Sequence, residues 1–355
     1  MLKELRRLRP ADKITILCRK GLADSMRLSG LVDEAIEADK KDDESWHRAV
    51  EILSAKEFDL LVCPHQSFRS ALLSRSIRAR RKVGYKRWFN ATLFDDRLER
   101  PMDLPEALRQ VELLTPLDSS LSARLSEFRS QQKRAGGQGE GSSLTPLPAG
   151  LDMTLPRLVS LRSEFRSRGS LSGASSAKVG EIAARLGFAP GRRIAFLAPG
   201  SVWPTKMWTS EGFTGVARAL IGDGFTVVLM GSRDERPICE AIASAAPGSH
   251  VIAGEPSLFE TAELLALADL LVCNDSGAMH MAAASGVPTV SVFGPTVLEL
   301  GYRPWNDLAR VVQTDLPCRP CGKHGAKKCP LGTHACMKQI SSDQVLNSIK
   351  SLPHP

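Results

Sequence analysis

No stretch of this 355-residue chain approaches the roughly 18 consecutive apolar residues that would cross a bilayer. The opening MLKELRRLRP lacks the apolar core of a secretion signal, so the chain is expected to stay on the cytoplasmic side. Aromatic residues make up only 5% of the composition, too few for the stacked platforms with which many proteins hold single-stranded nucleic acid. Acidic residues are scarce in one place above all: from Arg69 to Arg87 there are eight Lys or Arg and no Asp or Glu, a number equal to the formal net charge of +8. Such an excess points to an acidic partner, whether nucleic acid, phosphorylated lipid or an anionic membrane face. Internal repeats are absent beyond an alternation of strand and helix patterns.

That alternation is the sequence sign of parallel strands joined by crossover helices. Strands are expected at ITILC from Ile14, FDLLVC from Phe58, RKVGY from Arg81, IAFLAPG from Ile194, FTVVLMG from Phe225, HVIAG from His250, DLLVCND from Asp269 and PTVSVFG from Pro288. Between the third and fourth the rhythm breaks into a Ser-, Gly- and Arg-rich stretch, loosest at AGGQGEGSS and RSRGSLSGASS, with one anchored patch, MTLPRL, at Met153. Such a composition buries little apolar surface. The expected plan is therefore a first α/β domain over residues 1–118, a linker over 119–176 and a second α/β domain over 177–355, with the cleft between the domains as the default site.

Three loops of the second domain leave strands: LAPGSVWPTKMW, MGSRDE and NDSGAMH. In a parallel sheet they exit on one edge and converge. Ser276 and Gly277 fall where a helix begins, and a helix N-terminus offers an anion free N–H groups and partial positive charge, with Gly277 allowing close approach. Lys206 supplies a full cation for a phosphate, and Glu235 can accept hydrogen bonds from ribose hydroxyls. Together these describe a nucleotide diphosphate site. Each residue also has a plainer, structural reading: Asp275 or Ser276 as a helix cap, His280 as a core histidine, Lys206 as a solvated lysine, Trp203 and Trp208 as core.

Of eight cysteines, Cys18, Cys63, Cys239 and Cys273 are scattered through apolar patterns as small hydrophobes of a reduced compartment. Cys318, Cys321, Cys329 and Cys336 cluster in a C-x2-C-x7-C-x6-C pattern near His324 and His334, a spacing that argues for zinc or an iron–sulfur centre.

The runs PGSVWPTKMW, MGSRDE, NDSGAMHMAAASGVPTVSVFGPT, CRPC and CPLGTHACMKQI resemble the ADP-heptose:lipopolysaccharide heptosyltransferases of glycosyltransferase family nine, densely from Ile194 to Ile340. The likeness is thinner over HQSFRSALLSRSIRARRKVGYKR, and the cysteine-bearing tail favours the heptosyltransferase II branch. The resemblance implies a GT-B architecture of two doubly wound Rossmann-like domains facing a central cleft, the first for the acceptor and the second for the nucleotide sugar. It implies an inverting, metal-free transfer of L-glycero-D-manno-heptose from ADP-heptose to the inner core of lipopolysaccharide, with no cofactor required. Ser201, Val202 and Lys206 would then face the diphosphate, Glu235 the ribose, and Asp275, Ser276, Gly277 and His280 the diphosphate and sugar pocket. Lys206 would take up leaving-group charge. The basic run, with Arg78, Arg80, Arg81 and Lys82 at its centre, would meet the acidic acceptor and the anionic inner face of the inner membrane. The resemblance leaves Cys318, Cys321, Cys329 and Cys336 at most a structural metal.

Relatives in the family open with a strand and a Gly-Asp loop whose aspartate serves as general base. This sequence starts at the following helix, LKELRRLRPADKITILCRKG, so the expectation is that the first strand and the base are missing and the base is unassigned. Alternatives are a GT-B transferase of another nucleotide sugar, a nucleotide-binding homologue without activity, and a zinc-dependent nucleic-acid binder. The last is disfavoured by the aromatic scarcity and by the distance in sequence from the basic run to the cysteines.

Overall fold

In a computed structural model, described for residues 1–39, 41–134, 147, 148, 151 and 153–352, strands and helices alternate in two units, Met1–Gln131 and Gln132–Pro355. AGGQGEGSS lies outside the described residues.

The first unit holds β1 (Thr15–Arg19), β2 (Glu34–Ala38), β3 (Glu57–Cys63), β4 (Arg78–Tyr85) and β5 (Asp96–Leu98). β1 and β2 form one parallel pair, and β3, β4 and β5 a separate parallel sheet in that order. One apolar cluster joins the two, with Ile36 and Ala38 of β2 packed with Ala49 and Leu53 of the helix Asp43–Ser54 and with Leu17, Phe58 and Leu61 of β1 and β3. That helix starts where it does because the Asp42 carboxylate accepts from the N–H groups of Glu44 and Ser45. β2 and β5 were not among the expected strands. EAIEA carries a carboxylate at every third position, but Glu34 finds Lys56 and Thr15, and Glu37 accepts from the Ala23 N–H, so the charges are met locally while Ala35, Ile36 and Ala38 go inside.

The second unit holds β6 (Ile194–Ala198), β7 (Thr226–Leu229), β8 (Ser249–Val251), β9 (Leu270–Asn274), β10 (Thr289–Phe293) and β11 (Ala309–Gln313), all parallel in the order β11-β10-β9-β6-β7-β8. Every residue of β6, β9 and β10 is buried, as strands covered by helices on both faces require. The chain winds outward in opposite directions from the β6–β9 neighbours, and loops leaving the carboxyl ends there flank the crevice where doubly wound sheets take ligands.

The 119–176 stretch, expected as a linker or insertion, carries a helix toward each end. Residues Ser119–Arg134 form a helix of the first unit, because Leu121, Leu125 and Phe128 recur at helical spacing and are fully buried, while Arg129 pairs with Asp103 and Glu112. Residues Pro156–Arg168 form a helix of the second unit through Leu158, Leu161 and Phe165, and Leu155 donates its N–H to the Ala284 carbonyl, so the anchored patch at Met153 is indeed anchored. RSRGSLSGASS, read as loose, is held by carboxylates: Ser170 and Ser172 donate to Glu164, Ser175 to Glu263 and Ser176 to Glu260. Polar composition hid an order that rests on these hydrogen bonds together with Leu171 and Ala174 packed against the core.

Candidate active site

β9 ends at Asn274, and two buried polar residues take over. Asn274 accepts from the Trp208 N–H through Oδ1 at 2.9 Å and donates through Nδ2 to the Pro199 carbonyl at 2.8 Å, so it ties the loop after β6 to the end of β9. Asp275 then meets Lys206: Nζ donates to Oδ2 at 2.5 Å, and the Thr296 hydroxyl donates to the same oxygen at 2.6 Å. Lys206 is 8% exposed and Asp275 5%, so the plainer reading of Lys206 as a solvated lysine fails.

The cap reading fails as well. The helix Gly277–Ser285 has Ser276 at its N-cap position without a side-chain bond to the first turn, and the bonds described for the Asp275 carboxylate run to Lys206 and Thr296. The N-terminal N–H groups and their partial positive charge are left for something else. A Cβ built on Gly277 would touch nothing within 4 Å, so no neighbouring atom demands glycine there and the approach to the helix end is open.

Glu235, on the 3-10 turn Arg233–Glu235 after β7, accepts from the Ser232 N–H at 2.7 Å. Its carboxylate lies against the loop after β6: a Cβ on Gly200 would fall 2.1 Å from Oε1. A side chain at position 200 would therefore displace the Glu235 carboxylate, which lies next to Ser201. Val202 is 93% exposed at the tip of that loop, and Ser201 accepts from the Trp203 N–H. His280 is exposed on the helix instead of lying in the core, yet desolvation by surrounding protein pulls its imidazolium below the usual histidine range, with Asp275 raising it and Lys206 lowering it further. Of the two tryptophans, Trp208 is core and donates to the Ile340 carbonyl, while Trp203 stacks on His324.

The sequence reading missed Asn274, Thr296, Thr205 and His334 as site residues, although NDSG and FGPT contained the first two. The last two meet across loops, His334 in the cysteine-rich loop and Thr205 just before Lys206. His334 Nε2 lies 2.8 Å from the Thr205 carbonyl, the Thr205 hydroxyl donates to the Ala326 carbonyl, and Arg319 donates to the Thr296 carbonyl at 2.7 Å. The loop therefore buttresses both the residue before Lys206 and the residue that holds Asp275. Cys321, Cys329 and Cys336 share a small pocket with His334 and Thr205, but among the described residues no three His, Cys, Asp or Glu side chains are gathered to hold a metal. A hydrogen bond from the His334 N–H lowers the Cys329 thiol below its ordinary range, whereas burial raises Cys321 and Cys336.

The basic run of the first unit is largely matched by acids. Arg78, Arg80, Arg81 and Lys82 lie on β4, where Arg78 faces Glu57 at 3.9 Å, Arg80 faces Asp59 at 3.3 Å, Arg81 pairs with Asp96 at 2.7 Å, and Lys82 donates to the Ser74 carbonyl. The carboxylates sit on the neighbouring strands, so the acid-free run in sequence is not acid-free in space.

Residues 161–331 match the model of glycosyltransferase family 9 (heptosyltransferase). The chain is 30% identical over 171 residues to lipooligosaccharide heptosyltransferase 2 of Campylobacter jejuni, covering 46% of this chain and 53% of that protein. It is 34% identical over 176 residues to lipooligosaccharide heptosyltransferase 2 of Haemophilus influenzae, covering 47% and 46%. The matched segment thus spans about half the length of these relatives. In fold, the chain superposes on E. coli ADP-heptose lps heptosyltransferase II with a TM-score of 0.68 at 20% identity, over 99% of this chain and 92% of that one. On the family 9 glycosyl transferase of Veillonella parvula the TM-score is 0.73 at 21% identity, over 99% and 91%. The fold is that of the GT-B heptosyltransferases, and the stretch 161–331 within it is similar to glycosyltransferase family 9 (heptosyltransferase).

Proposed function

We propose that this chain is an inverting glycosyltransferase that moves L-glycero-D-manno-heptose from ADP-heptose to the inner core of lipopolysaccharide, working at the anionic inner face of the inner membrane without a cofactor. The observation that carries the reading is the arrangement at the end of β9: a buried Lys206–Asp275–Thr296 group beside an uncapped helix N-terminus, with Glu235 held against the same loop. Cation and open N–H groups suit a diphosphate, and a carboxylate one strand away suits a ribose.

In the transfer, the acceptor hydroxyl gives up its proton to a general base, here unassigned, and its oxygen forms the bond to the anomeric carbon as the bond from that carbon to the diphosphate oxygen breaks, the electron pair leaving on ADP. Negative charge therefore grows on the departing phosphate. Lys206 and the first-turn N–H groups are fixed before the reaction, so they stabilise that charge without reorganising. Asp275 keeps Lys206 from swinging away, and Thr296 holds Asp275. The first unit would bind the acceptor, and nucleic acid is no partner.

Titration with ADP-heptose, UDP-glucose and GDP-mannose, followed by transfer to lipopolysaccharide lacking the heptoses beyond its innermost sugars, tests the proposal. Tight binding of ADP-heptose alone and heptose transfer are expected. Preference for a uridine or guanosine donor would replace the substrate, and no binding of any of the three would end the reading.

A further inference from the structure

The first unit exposes aromatic side chains in one place although the chain has few of them. β3 and β4 are adjacent and parallel, and the turns that leave their carboxyl ends bring Phe68, Phe89 and Trp88 together. Phe68 opens the helix after β3, and Phe89 and Trp88 lie in the 3-10 turn after β4. The Phe68 and Phe89 rings stand 5.5 Å apart at 78°, and those of Trp88 and Phe89 5.5 Å apart at 85°. Trp88 is 87% exposed and Phe68 59%, a heavy exposure for rings that the fold elsewhere buries. The turn is stiff: Asn90 is buried, donates to the Tyr85 carbonyl at 2.8 Å and accepts from the Arg87 N–H at 2.9 Å. Arg87 is exposed, its guanidinium lies 6.0 Å from the Phe89 ring centroid, and no carboxylate pairs with it among the described ion pairs.

We propose that Trp88, Phe68 and Phe89 with Arg87 form a binding platform for an anionic oligosaccharide. The proposal rests on the function proposed above and names the chemistry of its acceptor side. A pyranose presents an apolar C–H face that lies flat on an aromatic ring, and a phosphate or carboxylate on a neighbouring sugar reaches a guanidinium. Exposed rings set edge to face on a pinned turn offer separate, fixed surfaces for successive sugars, with little left to order on binding. Their place at the carboxyl edge of parallel strands is where α/β sheets take ligands. A lipid surface is the lesser match, because the rings sit on ligand-edge turns and the arginines of β4 are matched by Glu57, Asp59 and Asp96.

The test uses the whole chain and three probes: deacylated, phosphorylated inner-core oligosaccharide, neutral maltotetraose, and vesicles of phosphatidylglycerol with phosphatidylcholine. Binding is followed by calorimetry and tryptophan fluorescence for the parent, Trp88→Ala, Phe68→Ala and Arg87→Gln. The expected result is binding of the anionic oligosaccharide in preference to maltotetraose, weakened roughly tenfold by Trp88→Ala and by Arg87→Gln, with ADP affinity and thermal unfolding unchanged. Equal binding by parent and Trp88→Ala overturns the platform. Binding to vesicles lost in Trp88→Ala, with none to the oligosaccharide, overturns it in favour of a membrane dock. A parent that fails to bind ADP ends the proposed function, while the oligosaccharide titration still decides the platform on its own.

Discussion

Lys206 Nζ and Asp275 Oδ2 stand 2.5 Å apart, both side chains withdrawn from solvent, and the Thr296 hydroxyl holds the same carboxylate oxygen. The cation assigned to the leaving phosphate is thus the partner of a buried anion before any ligand arrives, and its two roles can be separated by mutation.

Lys206→Met is expected to lower kcat at saturating donor by about 100-fold or more, the scale on which a preorganised charge is lost from a transition state. It also leaves Asp275 buried without its cation, which costs about 3–5 kcal/mol of stability. Adding Asp275→Asn should return most of the stability without returning turnover. Denaturant unfolding and steady-state kinetics on the two variants read the two effects apart, and normal kcat in Lys206→Met would remove the leaving-group role.

Glu235 gives a second prediction through its neighbour. A Cβ on Gly200 would fall 2.1 Å from Glu235 Oε1, so Gly200→Ala must push the carboxylate aside. ADP affinity should fall roughly tenfold, about as much as in Glu235→Gln, and the double variant should be no weaker than either single one. Calorimetric titration with ADP checks this, and fully additive losses would show that the carboxylate was not what the methyl group displaced.

These two sites show what the sequence made legible. β6, β9 and β10 stand out because strands buried on both faces are runs of Val, Leu, Ala, Cys and Phe, and the loops that leave them carry Lys206, Asp275 and Ser276 to one edge. The pairing of Lys206 with Asp275 was hidden, since the residues are 69 apart and only the sheet order joins them. The basic run reads differently in space for the same reason: Glu57, Asp59 and Asp96 pair with Arg78, Arg80 and Arg81 from neighbouring strands, and register is not written in composition. The Ser- and Arg-rich stretch misled because Glu164, Glu260 and Glu263 do there what apolar side chains do elsewhere.

Glu263 is the residue on which that last point turns. It is fully buried and accepts from both the Ser175 N–H and the Ser175 hydroxyl, with Arg157 Nε at 3.7 Å. Glu263→Ala is expected to cost about 1–3 kcal/mol, leaving those donors without an acceptor, and to free the Ser170–Ser176 segment. Limited trypsin digestion should then cut after Arg166 or Arg168 faster than in the parent chain. Unchanged digestion would mean that the segment is held by something other than this carboxylate.

The cysteines yield the last prediction, which depends on pH. The His334 N–H donates to Cys329 Sγ at 3.4 Å, which favours the thiolate and lowers its pKa from the ordinary value of 9.0. Burial does the opposite at Cys239 and Cys273, each pushed up to about 12. A lowered pKa means that the reactive thiolate is present at lower pH, so the rate of alkylation of Cys329 by iodoacetamide should rise with pH and level off earlier than that of an ordinary thiol. On the folded chain at neutral pH, peptide mass mapping should find Cys329 modified ahead of Cys321 and Cys336, with Cys239 and Cys273 unmodified. In denaturant the order should collapse, because neither the His334 hydrogen bond nor the burial survives unfolding. Alkylation of Cys273 as fast as Cys329 in the folded chain would contradict the packing of β9, and a Cys329 midpoint at or above the ordinary value would show that the His334 bond does not govern the thiol.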